Sequence, residues 1–208
     1  MKNQFVVTIG RQLGSGGYRI GQALAESLGI SFYAKELLDI ASQESGLSKE
    51  FFENADEQPS SHFIGGFFGI NLPFAGEGLS LSNNCLCHDE LFKQQSHVIR
   101  EVAGRESALF MGRCADYILR DHPKLISIFI HASTQERVQR LVHRDHIDED
   151  HAHHLIRKAD KSRSAYYNFF SNKEWGAAES YDLCIDSGKM PDEEIVSFLK
   201  HYIELRLR

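Results

Sequence analysis

The sequence predicts an α/β fold built on a doubly wound, mostly parallel sheet, and two patterns carry this prediction. The first is a set of short, almost continuously apolar segments, typical of strands buried on both faces; they are residues 5–9, 108–111, 125–130 and 181–185. The second is the helical spacing of apolar residues between those segments, in residues 18–28, 35–45 and 88–104 and again after Pro191. Strands that alternate with helices pair in parallel, and the helices then cover both faces of the sheet.

Length and composition set the class of protein. A chain of 208 residues can bury the core of one domain, so we expect a single domain over residues 1–208. The net charge of −6 argues against binding to an extended nucleic acid, which requires a basic surface, although it leaves room for a small nucleotide. No segment has the length of a membrane span and no secretory signal precedes the first strand, so we expect a cytoplasmic protein without a membrane partner. Composition does not indicate the oligomeric state.

The cysteines and histidines do not form a recognisable metal site. Cys85 and Cys87 are followed by His88, but no second pair of ligands follows at the spacing of a zinc site. The histidines between residues 143 and 154 fall in a polar helical region, where exposure to solvent explains them. We therefore predict free thiols and no metal-ligating residues in this chain.

Residues 58–84 differ from the rest of the chain. They are rich in Gly, Ser, Asn and Phe, and they show neither helical nor strand periodicity. Loops of this length within a compact domain are usually lids, binding loops or disordered segments. We predict an irregular insert here, with aromatic side chains that pack on a partner or over a substrate.

A glycine-rich segment joins the first predicted strand to the first predicted helix, and it reads GRQLGSGGYR over residues 10–19. Glycines allow successive backbone N–H groups to converge on an anion, and the helix N-terminus adds unpaired donors and the positive end of its dipole. The segment is compatible with a phosphate-binding loop and also with a plain turn between a strand and a helix.

Two phosphate-loop patterns match this segment only in part. The dinucleotide pattern G-x-G-x-x-G fits two glycines, but its third glycine falls on Arg19. The pattern G-x-x-x-x-G-K-[ST], aligned with its second glycine on Gly16, has Arg11 in place of the first glycine. In the same alignment Gly17 stands at the lysine and Tyr18 at the small hydroxyl residue.

The missing lysine has a chemical consequence, because phosphoryl transfer relies on cations that offset the charge of the moving group. Arg11 and Arg19 flank the loop and are candidates for that charge. Tyr18 does not offer the small hydroxyl group that binds Mg²⁺ in such loops. Mg²⁺ would then be held mainly by substrate phosphates and water.

Further segments, taken with this loop, resemble the cytidylate kinase-like family of P-loop nucleoside monophosphate kinases. The resemblance begins with GSGGYRIG at 14–21 and AESLG at 25–29, and it continues with GRCADYIL at 112–119. It resumes with IFIHA at 128–132 and ERVQR at 136–140, and it is strongest in KADKSRSAYY at 158–167. WG at 175–176 and YDLCI at 181–185 follow, so most of the chain outside residues 58–84 takes part.

The resemblance implies a P-loop kinase fold with a helical lid, which we expect over residues 137–170, and transfer of phosphate from ATP with Mg²⁺ to CMP, dCMP or a related small acceptor. Two positions depart from cytidylate kinases proper. Gly17 replaces the loop lysine, and Cys114 replaces the acidic residue that follows a Gly-Arg pair. The resemblance also implies a small nucleotide as the substrate.

Site residues follow from the loop, from the helical spacing of basic residues and from the resemblance. Those expected to bind the donor phosphates are Gly14, Ser15, Gly16, Gly17, Tyr18 and Arg19. Those expected to bind the acceptor are Lys35, Arg113, Asp160 and Arg163. Those expected to neutralise charge during transfer are Arg11, Arg19, Arg140, Arg144, Lys158 and Lys161.

Simpler interpretations exist for several of these residues. Arg137, Arg140 and Arg144 share one helical face, which is also typical of a solvated charged surface. Asp160 and Arg163 could form an ordinary ion pair within a helix, which contributes little to stability.

Two other functions remain open. A nucleotide-binding regulatory module, or pseudokinase, would use the same loop without transferring phosphate. A dinucleotide-dependent oxidoreductase would need an acidic residue at the end of the second strand, where this chain reads FYAK over residues 32–35.

Overall fold

The computed structural model describes the backbone of residues 4–34 and 81–208 and the side chains of residues 4–34 and 92–208. Five strands form one parallel sheet in the order β2-β3-β1-β4-β5, which confirms the predicted α/β class. They are β1 (Val6–Arg11), β2 (Ser31–Tyr33), β3 (Ala108–Met111), β4 (Leu125–His131) and β5 (Leu183–Asp186). The four strands that the apolar segments predicted are all present.

Helices connect these strands along the chain. They are α1 (Gly17–Leu28), α2 (Leu81–Arg105), α3 (Ala115–Ile118), α4 (Thr134–Asp145), α5 (Glu149–Ser171) and α6 (Asp192–Arg206), with a short 3₁₀ helix at Ala178–Ser180. None of the helices in the described part of the chain is long and apolar enough to cross a membrane.

Local sequence signals explain where several helices begin and end. Gly29 ends α1 in the left-handed region at φ 64°, as expected for a helix C-terminus. Ser133 and Glu136 form a reciprocal capping box that starts α4. α2 begins at Leu81, earlier than the predicted residue 88, so residues 81–84 are helical and the prediction of an irregular insert is wrong for them. The rest of that insert and the predicted helix 35–45 lie outside the described residues.

The chain forms two compact units. One consists of residues 1–34 and 99–208, and the other of residues 35–98. The first contains the whole sheet and helices α1 and α3 to α6. In the second, the structure describes residues 81–98, which form the first part of α2. The expectation of a single domain stays a prediction, because most of the second unit is outside the described residues.

The core of the first unit explains why the strands were easy to identify. Val7, Leu109 and Ile128 lie in the three central strands and are completely buried, as a sheet covered on both faces requires. β2 is a three-residue strand at the edge, only partly buried, and its sequence lacks a long apolar run. In an open parallel sheet, ligands bind at the carboxyl ends of the strands, and the glycine-rich segment follows β1 at that edge.

Candidate functional site

The glycine loop, residues 10–17, leaves the carboxyl end of β1 and enters α1. Gly14 and Gly16 have φ angles of 79° and 77°, in the left-handed region that favours glycine. A Cβ atom at Gly14 would lie 2.9 Å from the carbonyl oxygen of Arg137, so this position is also closed to side chains by packing. The two glycines therefore fix the path of the loop.

The carbonyl groups of the loop accept hydrogen bonds from distant side chains or from the loop and helix themselves. The guanidinium groups of Arg163, Arg137 and Arg140 donate to the carbonyls of residues 11, 13 and 14, at 3.2, 3.2 and 3.4 Å. The hydroxyl group of Ser187 donates to the carbonyl of Ser15 at 2.5 Å, and the amide of Ile20 donates to that of Gly16 at 3.1 Å. The carbonyls of the loop are thus directed at partners that surround it.

The amide groups from Gln12 to Arg19 fall into two sets. In the first set, Gln12 donates to the carbonyl of Ile130, Leu13 to Asp160, Ser15 to the carbonyl of Gln12, and Gly17 to the Ser15 hydroxyl group. No acceptor for the other set is found within residues 4–34 and 92–208; these amides belong to Gly14, Gly16, Tyr18 and Arg19. Unpaired donors at the start of a helix, next to left-handed glycines, form a cradle suited to an anion.

Arg137 and Asp160 form a buried ion pair that contacts the loop. Arg137 is 5% exposed, and its guanidinium contacts the carboxylate of Asp160 while donating to the carbonyl of Leu13. The other carboxylate oxygen of Asp160 accepts from the amide of Leu13 at 2.9 Å. A charge that is removed from water needs such a partner, and this pair holds both the amide and the carbonyl of Leu13.

Arg140 ties the loop to the segment after β5. Its guanidinium donates to the carbonyl of Ser187 at 2.7 Å and to the hydroxyl group of the same residue at 3.2 Å. Ser187 is fully buried, and its hydroxyl contacts the carbonyls of Ser15 and His131. Arg140 and Ser187 thus fix the ends of two strands to the loop between β1 and α1.

Arg11 and Arg19, the two arginines predicted to supply charge, have different surroundings. Arg19 is exposed and pairs with Asp192 of α6 at 3.0 Å. The side chain of Arg11 begins beside Gly17 and extends to Gly112. A Cβ atom at Gly17 would lie 2.7 Å from the Cβ of Arg11, and a Cβ atom at Gly112 would lie 2.5 Å from its Nη1. Arg11 therefore spans from the loop to the end of β3.

A strained turn follows β3, and we call residues 112–116 the Gly112 turn. Gly112, Arg113 and Cys114 all lie in the left-handed region, at φ 72°, 62° and 54°. For the two residues with side chains this conformation is unfavourable, and such strain is concentrated at functional sites. The amide of Gly112 donates to the carbonyl of Ile9 at 2.9 Å, and that of Ala115 donates to Gly112 at 3.1 Å. Arg113, predicted to contact the acceptor, is half-buried here.

Sequence analysis missed a buried polar cluster behind this turn. Asp116 is 7% exposed, and its carboxyl group accepts a hydrogen bond of 2.6 Å from the hydroxyl group of Tyr167 in α5. Burial raises the pKa of Asp116 above 3.8, and burial together with Asp116 raises the pKa of Tyr167 far above 10.0. Burial also raises the pKa of the Cys114 thiol. The signal in the sequence was an acidic residue in the otherwise apolar segment that follows the Gly-Arg pair.

The remaining predicted residues lie at the surface or outside the described part of the chain. Arg144 is exposed and pairs with Asp145 next to it, at 2.6 Å. Lys158 and Lys161 are exposed on α5. Lys35 lies outside the described residues.

Mg²⁺ has little support from the side chains at this site. Tyr18, which stands at the hydroxyl position of the loop pattern, is 45% exposed, and its ring packs edge-on against Phe32. In the described part of the chain, no group of three His, Cys, Asp or Glu side chains could hold a metal ion. Mg²⁺ at this site would therefore be held mainly by the substrate phosphates and water, as the loop sequence predicts.

Comparison with solved structures shows the same fold in other proteins. An uncharacterized protein from Eubacterium ventriosum is 30% identical, with a TM-score of 0.70, and the match covers 97% of this chain and 99% of that one. A gluconokinase from Sinorhizobium meliloti matches at 16% identity with a TM-score of 0.54, over 98% of this chain and 94% of the other. A shikimate kinase from Bacteroides thetaiotaomicron matches at 13% identity with a TM-score of 0.53, over 96% and 98%. The last two likenesses show a P-loop kinase fold and nothing beyond the fold.

Sequence comparison identifies the family. A cytidylate kinase from Methanopyrus kandleri is 25% identical over 209 residues, which cover 96% of this chain and 93% of that protein. The sequence model of the cytidylate kinase-like family matches residues 6–189, nearly the whole chain. This chain belongs to the cytidylate kinase-like family.

Proposed function

We propose that this protein transfers the terminal phosphoryl group of ATP to a nucleoside monophosphate, with CMP or dCMP as the preferred acceptor. The family and the fold support a phosphotransferase that uses a nucleotide. The preference for a cytidine nucleotide rests on the relative from Methanopyrus kandleri, whose name is cytidylate kinase. A cytoplasmic location, where ATP and nucleoside monophosphates are both present, is part of the proposal.

The cradle of amide groups in the glycine loop is the observation that carries this proposal. Arg137, Arg140 and Arg163 hold carbonyl groups of the loop, and amides at the start of α1 have no acceptor among the described residues. A turn that served only to connect β1 to α1 would not need three buried or half-buried guanidinium groups around it. Such a concentration of charge suits a loop that must keep its shape while it binds phosphate.

Transfer would proceed by attack of an acceptor phosphate oxygen on the terminal phosphorus of ATP. The new P–O bond forms as the bond to the bridging oxygen breaks, and ADP leaves with that electron pair. The acceptor oxygen is already ionised near neutral pH, so the chain needs no general base. Its own contribution is to hold the donor phosphates on the loop amides, to hold the acceptor with Arg113, and to offset charge with cations around both.

A coupled assay of ADP release with ATP and MgCl₂ tests this function across CMP, dCMP, UMP and AMP. We expect turnover with CMP or dCMP that exceeds turnover with UMP and AMP. The R113A variant should raise the KM for the acceptor at least about tenfold, because a bidentate contact between guanidinium and phosphate is removed. Absence of ADP release with all four acceptors would contradict the proposal.

A nucleotide-binding module without transfer activity is the second candidate, and Tyr18 favours it. The residue replaces the small hydroxyl group that would bind Mg²⁺, and its ring packs on Phe32. This candidate predicts that ATP raises the melting temperature while no acceptor produces ADP. Binding with turnover supports the kinase, and binding without turnover supports the module.

A further inference from the structure

Arg11 and Gly17 stand at exchanged positions of the P-loop pattern. The pattern G-x-x-x-x-G-K-[ST], aligned on Gly16, requires glycine at position 11 and lysine at position 17. This chain has the cation at position 11 and the glycine at position 17. The chain thus has the one cation that the pattern requires, but at position 11 and not at position 17.

The structure shows that the two positions cannot both carry a long side chain. A Cβ atom at Gly17 would lie 2.7 Å from the Cβ and 3.3 Å from the Cγ of Arg11. Contacts shorter than 3.0 Å are essentially never found for real Cβ atoms. The stem of Arg11 therefore occupies the space in which a lysine at position 17 would begin, and the missing lysine and the added arginine explain each other.

Gly112 lies beside the other end of this arginine. A Cβ atom there would lie 2.5 Å from Nη1 of Arg11, which is the end of a flexible side chain, and the φ of 72° is the main reason for glycine at this position. The guanidinium group consequently lies against the Gly112 turn, next to the predicted acceptor contact Arg113. The side chain of Arg11 thus runs from the loop proposed to bind the donor to the turn proposed to bind the acceptor.

Other observations distinguish Arg11 from Arg19. The carbonyl of Arg11 accepts from Arg163 at 3.2 Å, and Arg11 is the last residue of β1, so its backbone is fixed on two sides. Arg19 has a side chain that is 72% exposed and pairs with Asp192 in α6. An exposed ion pair contributes little charge to a neighbouring site, because solvent screens it.

We propose that Arg11 takes the place of the P-loop lysine in this protein: its guanidinium group contacts the terminal phosphates of the donor, and the glycine at position 17 leaves room for its stem. This inference rests on the proposed function, since it assumes that the loop binds a polyphosphate. It goes beyond that function by assigning the cation and by explaining why the lysine is absent.

Titration calorimetry of the full chain with inorganic tripolyphosphate, ATP and adenosine tests the assignment. R11M keeps the apolar stem without the charge, and we expect it to bind tripolyphosphate and ATP about 10- to 100-fold more weakly, the usual effect of one charged hydrogen bond. Its affinity for adenosine should not change. R206A removes a cation that pairs with Asp182, at the opposite edge of the sheet, and should bind all three as the wild type does.

The double variant R11G/G17K restores the order of the pattern and sharpens the test. We expect it to regain most of the affinity for tripolyphosphate that R11G loses. G17K alone should lower the melting temperature, because two stems then compete for one space. Thermal unfolding of each variant shows which of them are folded. If R11G is not folded, the affinity of R11G/G17K is compared with that of R11M instead.

Each result bears on a different statement. Wild-type affinity for tripolyphosphate in R11M would overturn the role of Arg11, while the proposed function would stand. A folded R11G/G17K that binds no better than R11G would overturn the exchange of positions. A wild-type protein that binds neither tripolyphosphate nor ATP would overturn the proposed function and this inference together.

Discussion

The glycine loop and the Gly112 turn lie side by side at the carboxyl ends of β1 and β3, yet they obtain their shapes in different ways. Side chains from α4, α5 and the segment after β5 hold the loop by its carbonyl groups. The first part of the turn is held by its own backbone, with three successive left-handed residues and hydrogen bonds to Ile9 and within the turn, and Asp116 at its end accepts a hydrogen bond from Tyr167 of α5. The glycine loop is thus shaped by side chains that are distant in the sequence, whereas the Gly112 turn contains backbone strain of its own.

This difference separates two ways of losing function. Damage to the loop is possible from residues more than a hundred positions away, and it should reduce stability and donor binding together. Damage to the turn can arise at the turn itself, where a substitution at a left-handed residue is able to improve stability while it removes the proposed contact to the acceptor. Four substitutions test this contrast, in order of the size of their expected effects.

Removal of Asp160 should have the largest effect. D160A leaves the buried guanidinium of Arg137 without its carboxylate and the amide of Leu13 without an acceptor, so we expect the free energy of unfolding to fall by about 3–5 kcal/mol. Denaturant unfolding measures the loss, and calorimetry with ATP should show a parallel loss of affinity. D145A, which breaks the exposed pair with Arg144, is the control and should cost less than about 1 kcal/mol. Equal losses in the two variants would contradict the importance given to the buried pair.

Removal of Arg140 should have an intermediate effect. R140A removes the hydrogen bonds to Gly14 and Ser187, and we expect the free energy of unfolding to fall by about 2 kcal/mol, as for charged hydrogen bonds elsewhere. Donor affinity should fall while the KM for the acceptor stays within about twofold, since these hydrogen bonds hold the glycine loop and not the Gly112 turn. R120A removes an exposed arginine that bonds only to the nearby Tyr117 carbonyl and ring and to Asp121 in the described structure, and it should change stability by less than about 0.5 kcal/mol. A larger effect on the acceptor than on the donor would be inconsistent with this contrast.

Arg113 offers a test of stored strain. Because its φ is 62°, R113G should be more stable than R113A by about 1 kcal/mol, although both variants lose the proposed contact to the acceptor. The matched pair Q139G and Q139A, at an exposed position within α4, should show the opposite order by a similar amount. Thermal unfolding of the four variants is sufficient, and R113G no more stable than R113A would show that the turn is not strained.

Substitution of Asp116 should have the smallest effect on stability, and this effect should depend on pH. Its pKa is raised in the folded state, so its contribution to stability is complete below the ordinary value of 3.8 and is lost as the pH rises through the raised value. The melting temperature of D116N relative to wild type should therefore increase from about pH 4 to about pH 8.

Glu106 provides a control of opposite sign for that measurement. Ser31 and Tyr33 donate to its carboxylate and lower its pKa, so its contribution is present above the ordinary value of 4.5 and is lost as the pH falls through the lowered value. The deficit in melting temperature of E106Q should shrink at acid pH. A flat difference between D116N and wild type would show that burial does not perturb Asp116.

Strands and helices could be predicted from the sequence where a single residue pattern determines them. The apolar runs identified β1, β3, β4 and β5, and Gly29 marked the end of α1, because burial and backbone freedom act on the segment itself. β2 has no continuous apolar run, because a short edge strand does not need one, so the apolar pattern did not identify it and only the place where a second strand would end, at residues 32–35, was indicated. The site was harder to predict. Nothing near Asp160 in the sequence indicates that its partners are Arg137 and Leu13, since only the fold brings them together.

One helix meets both regions, and this places a limit on how the chain can vary. Asp160 and Arg163 of α5 contact the glycine loop, and Tyr167, one turn further, contacts Asp116 in the Gly112 turn. Their spacing of three and four residues puts all three on one face of a rigid rod. Insertion of one residue between positions 163 and 167 would rotate the second contact by about 100° away from the first. Homologous chains can therefore change length before or after this stretch, but within it the register is fixed.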